Sequence, residues 1–156
     1  MTFTAENDIV VKDDLTRSSA GSPFLLGLIA QRYVRVYHPV TGCTPLNTCN
    51  LMTGCTNDPS TPTNVSIDAA IVSLTRSVIV DNWFCGASLG TLDIEGAIAQ
   101  MHRGPTARPN DVGFPGYVQK DYKYDERLRY RSPPHFLDPV NAQWRVQTFT
   151  EQVPAR

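Results

Sequence analysis

The sequence has no apolar run long enough to cross a bilayer. The longest, Phe24-Leu25-Leu26-Gly27-Leu28-Ile29-Ala30, falls well short of the roughly 20 residues a spanning helix needs. Met1-Thr2-Phe3-Thr4 is not a basic segment followed by an apolar stretch, so it does not read as a secretory signal. The chain is therefore expected to be either cytoplasmic or an excised part of a longer exported protein. Net charge is also missing, at −1, so no global field recruits nucleic acid or an anionic membrane. Lys and Glu are few, and no long stretch keeps a helical period, which removes an all-helical fold. No C-x-x-C occurs and no His sits at finger spacing, so no metal site is expected. H-E-x-x-H, G-x-S-x-G and P-loop patterns are absent, so no catalytic residue and no cofactor is expected.

What the chain does have is turn residues and strand formers. Its 156 residues make one domain, with 12 Pro and 10 Gly and a Val/Ile/Thr content that favours strands. Short β-rich runs cover Ile9–Val11, Phe24–Ala30, Tyr33–Tyr37, Val65–Leu74, Ser77–Val80, Leu89–Ile94 and Gly96–Ala99. They also resemble one another. Gly27-Leu28-Ile29-Ala30-Gln31 returns as Gly96-Ala97-Ile98-Ala99-Gln100, and Ala70-Ile71-Val72-Ser73 is a looser third copy. Repeated short strands joined by polar corners predict an all-β fold, a right-handed parallel β-helix (solenoid), with a chance likeness between the strands of a β-sandwich as the competing reading. The coils are expected within residues 1–101, interrupted by an insertion at 39–63. Residues 102–156 are expected to form a loop and an aromatic, Pro-rich C-terminal tail packed on the solenoid, with a short helical turn near Asp125–Tyr130 and a last strand at Trp144–Phe149.

Cys43, Cys49 and Cys55 lie six apart inside the insertion, and Cys85 follows later. Four cysteines around a polar loop suit two disulfides in an oxidising compartment, with three connectivities open. In the tail, Tyr117, Tyr122, Tyr124, Arg127, Arg129, Tyr130 and Trp144 are the candidates for an interaction surface. Basic residues among aromatics suit single-stranded nucleic acid, but Asp121, Asp125 and Glu126 cancel much of the charge, so no nucleic-acid partner is expected. Asp13-Asp14 and the pair Asp93 and Glu95 are the carboxylates to weigh for polysaccharide chemistry. Two apart on a strand, Asp93 and Glu95 share the face opposite Leu92, Ile94 and Gly96, and no Arg or Lys accompanies them at matching spacing to serve as a base or charge clamp. His38, His102 and His135 are scattered.

The strings Glu6-Asn7-Asp8-Ile9, Gly27–Ala30, Ile67–Ile71, Gly90-Thr91-Leu92, Gly96–Gln100, Arg103-Gly104-Pro105, Tyr122–Asp125, Arg127-Leu128 and Ser132–Pro139 resemble a family of exported bacterial proteins. That family carries a PilX-like (pilus assembly) N-terminal membrane segment followed by a polymer-forming type of β-solenoid. The resemblance covers most of the chain and implies a fold and a cell-envelope setting, without catalytic residues. The membrane anchor expected in front is not in this sequence, so any membrane association would run through it. The function expected is a non-catalytic structural or interaction module, a homo-oligomer or a partner of other surface-protein subunits. A polysaccharide-binding or polysaccharide-cleaving β-helix is the alternative.

Overall fold

A computed structural model describes residues 1–17, 19, 22–45, 52–107 and 115–136. The described residues form a right-handed parallel β-solenoid of about four turns, with no α-helix among them. Its strands stack in three columns. Column B holds β1 (Thr2–Ala5), β3 (Gly27–Ala30), residues 70–73 of β9 (Val65–Ser73) and residues 97–100 of β11 (Ser88–Gln100). Column C holds β2 (Ile9–Val11), β4 (Val34–Val36) and β10 (Val78–Val80), and Val80 donates onward to the Pro105 carbonyl. Column A holds Leu15, residues 65–68 of β9, residues 92–95 of β11 and residues 119–123 of β12 (Gly116–Tyr124). The chain visits the columns in the order A, B, C, one turn per layer.

The alternation of each strand points one residue in two at the interior. Leu28, Ile71 and Ile98 share one inward row of column B, and Ile67 and Ile94 share one in column A. Val34 and Val78, with Val36 and Val80 two residues on, do the same in column C. Most of these side chains are fully buried, each contributing roughly 1.5–3 kcal/mol relative to exposure. No turn could bury its inward row alone, so the layers stabilise one another.

Two readings of the sequence need correction. The repeat that aligns Gly27 with Gly96 is one residue out of step with the stack: Gly27 and Ala97 both pair with Ala70, whereas Gly96 pairs with Ala69. The inward apolar positions set the register, because a slip of one residue would turn Leu28 or Ile98 outward. The coils also extend past residue 101. β12 pairs in parallel with β11 along most of its length, where an aromatic, charged tail was expected. The short turn expected near Asp125–Tyr130 is present as a 3-10 turn over Glu126–Arg129, capped by Asp125. The expected strand at Trp144–Phe149 lies outside the described residues.

Candidate functional site

The two ends of the stack are its most distinctive surfaces. Column A begins one layer later than column B and ends one layer later. At the first end Leu15 covers Ile67, and among the described residues no strand lies beyond it. At the other end β12 stands in column A, while, among the described residues, positions 97–100 of β11 pair on one side only. Among the described residues the stack thus ends in a step at each end, and the one-layer offset of column A is the same at both. The exposed layers differ in chemistry. The first carries Phe3 in the inward row of Leu28, 44% exposed, and a groove lined by Phe3, Ile9, Val11, Leu15 and Leu28 opens there. The last carries Lys120, Tyr122 and Tyr124 in the inward rows of Leu92, Ile94 and Gly96, with the two tyrosines about half exposed. Parity fixes which backbone groups are open. Asp125 N–H donates to the Gly96 carbonyl, so Asp121 and Lys123 face β11, and Lys120 and Tyr122 turn their N–H and C=O outward.

Two carboxylates of column A, Asp68 and Glu95, are engaged with a cation from another layer. Glu95 is paired with Asp68 on one side and with Lys123 on the other. Arg17 bridges the first two, with Nε 3.1 Å from Asp68 and Nη2 2.5 Å from Glu95. Asp93 and Glu95 do lie opposite the buried row of Leu92, Ile94 and Gly96. The absence of a cation at matching spacing in sequence did not carry over to the fold: stacking brings Arg17 and Lys123 to a row that is far from both along the chain.

The segment after β12 returns across the layers. Asp125 is buried and holds Arg127 in a bidentate pair, and Arg127 Nη1 donates to the Ser22 carbonyl at 2.5 Å. These bonds, with the Arg127 side-chain hydrogen bonds first among them, hold the Asp125 carboxyl below its ordinary pKa. Phe136 packs over Gly27, where a Cβ would lie 2.5 Å from its ring, and Thr2 hydrogen-bonds the Pro134 carbonyl. Of the interaction-surface candidates, Tyr122, Tyr124, Arg129 and Tyr130 are exposed, Arg127 is half-buried, and Trp144 lies outside the described residues. Tyr117 is not a surface residue. It is fully buried, and its hydroxyl donates to the Pro62 carbonyl at 2.9 Å, because its position in β12 stacks it on Leu89.

The insertion contains a β-hairpin. β5 (Val40–Thr41) pairs with β8 (Thr56–Asn57), and β6 (Thr44–Pro45) pairs with β7 (Met52–Thr53), all in one antiparallel register. Between the two pairs stand Gly42-Cys43 and Gly54-Cys55, and a disulfide joins Cys43 to Cys55. Both glycines have positive φ, 68° and 70°, a conformation that favours residues without a Cβ. A sequence signal for this arrangement was present but unused: Thr41-Gly42-Cys43-Thr44 repeats as Thr53-Gly54-Cys55-Thr56. Buried His38 ties the hairpin to the solenoid, with Nε2 3.0 Å from Asn57 Oδ1 and Nδ1 2.9 Å from the Asp81 carbonyl. Cys85, from the turn after β10, places its sulfur 2.9 Å from that of Cys55. Cys49 lies outside the described residues.

The described residues thus define a β-solenoid whose two ends are stepped and unlike. No family model, no curated protein and no solved structure matches the chain.

Proposed function

We propose that this chain is a structural module of a cell-envelope or pilus-associated protein, and that copies of it join head to tail through the solenoid ends. The observation that supports this reading is the pair of steps with the same one-layer offset. A second copy placed on the last layer would add its β1 to residues 97–100 of β11 and its Leu15 segment to β12. Its exposed Phe3 would then be covered. Such a contact is heterologous: it leaves the same two surfaces open at the far ends, so it propagates as a filament. Open strand edges supply the backbone hydrogen bonds that drive addition of this kind. The disulfide suits an oxidising, extracytoplasmic setting.

The test is a proline at the open edge. Tyr122→Pro removes an N–H that faces away from β11 and leaves the inner ladder bonds in place. In sedimentation velocity, wild-type protein is expected to form larger species as concentration rises, and the variant is expected to remain at the size of one chain. Equal behaviour of the two proteins would remove the end-to-end reading.

A further inference from the structure

The three described cysteines converge from two distant parts of the chain. The sulfurs of Cys43, Cys55 and Cys85 all lie within 4.8 Å of one another, with Cys85 buried and the other two half-buried. We propose that in the fully reduced chain Cys43, Cys55 and Cys85 form a thiolate site for a soft divalent cation of the zinc type. Three observations carry the proposal. The first is the spacing. Tetrahedral zinc with Zn–S bonds of about 2.3 Å holds its sulfurs about 3.8 Å apart, and the cluster already gathers its three sulfurs to within 4.8 Å of one another, with Cys55 and Cys85 2.9 Å apart. The second is the backbone. Each cysteine adjoins a glycine of positive φ, namely Gly42, Gly54 and Gly86, and turns of that kind aim amide N–H groups at an anionic ligand set. The third is rigidity. Cys43 and Cys55 sit on one hairpin in fixed register, and His38 and Asn57 anchor that hairpin to the layer from which Cys85 projects.

The site and the disulfide are two redox states of the same sulfurs. A phosphine takes the chain from one to the other: it attacks the Cys43–Cys55 bond, and water then releases two thiols and the phosphine oxide. Binding of the cation displaces the thiol protons to solvent, so affinity rises with pH. Three sulfurs leave one position of the tetrahedron for a further ligand. Spacing along the sequence argues against zinc because no C-x-x-C occurs and no His sits at finger spacing; the layering of the solenoid, not a local knuckle, brings Cys85 to Cys55, 30 residues away.

The experiment is an anaerobic titration of phosphine-reduced protein with cobalt(II), the spectroscopic stand-in for zinc. The expected result is a thiolate-to-cobalt charge-transfer absorption with tetrahedral visible bands, saturating at one equivalent and displaced by zinc. Cys85→Ser is expected to weaken cobalt binding at least tenfold. Because Cys85 is buried and its variant could fail to fold, Cys43→Ser in the hairpin is titrated in parallel, with the same loss expected. Absence of the charge-transfer band at stoichiometric cobalt, or wild-type titration by a folded Cys85→Ser or Cys43→Ser variant, would overturn the proposal.

Discussion

Single residues carry much of what makes this stack close. Gly96 lies where β11 passes from column A to column B, and a Cβ there would sit 1.9 Å from the Ala69 carbonyl oxygen. Gly96→Ala must push two layers apart and is expected to cost about 1–3 kcal/mol, seen as a lower urea midpoint with unchanged slope. Tyr117 is held by burial, which raises its phenol pKa. Its contribution is complete below the ordinary tyrosine value of about 10 and is lost as pH rises toward the folded value. Tyr117→Phe is expected to cost about 1 kcal/mol at neutral pH, through the bond to Pro62, and to flatten the decline in stability above pH of about 10. Asp125 behaves in the opposite sense. Its depressed pKa, due first to Arg127, adds stability that is present above the ordinary carboxylate value of about 4 and disappears as pH falls through the folded value. Asp125→Asn is expected to lower stability at neutral pH and to shrink the acid-side slope in pH-dependent urea unfolding.

At the scale of elements, what could be read from the sequence depended on how fully each strand is buried. β3, β9, β10 and the second half of β11 are apolar on their inward rows and small at their corners, so their repetition was visible as a solenoid. The one-residue error at Gly96 arose because like residues were aligned, whereas the stack aligns inward positions, Leu28 with Ile71 and Ile98. β12 was missed for a physical reason: as the last layer among the described residues its inward row is partly open to water and can hold Lys120, Tyr122 and Tyr124, so it lacks the apolar alternation of the inner strands. The same strand hides Tyr117, which looked like one more tyrosine of a polar tail. The hairpin was legible only through the repeated Thr-Gly-Cys-Thr, and its partnership with Cys85 not at all, because that contact depends on the layering. The ion-pair row of Arg17, Asp68 and Glu95 was hidden for the same cause.

For the whole molecule, the offset between column A and the other two is the feature from which the functional reading grows. A solenoid cut flat would present two plain faces; the described residues present an apolar step at one end and a tyrosine-and-lysine step at the other. The segment after β12 crosses the outer surface to reach Ser22 and Thr2 without pairing to the open edge of β12 among the described residues. Addition of copies would continue the parallel ladder with neighbouring strands about 4.8 Å apart, each running across the direction of growth. The most direct measurement is electron cryo-microscopy of the protein at increasing concentration, with the averaged power spectrum of any filament. Head-to-tail addition predicts filaments with a meridional layer line near 4.8 Å. Uniformly single particles at high concentration, or filaments lacking that meridional line, would contradict it.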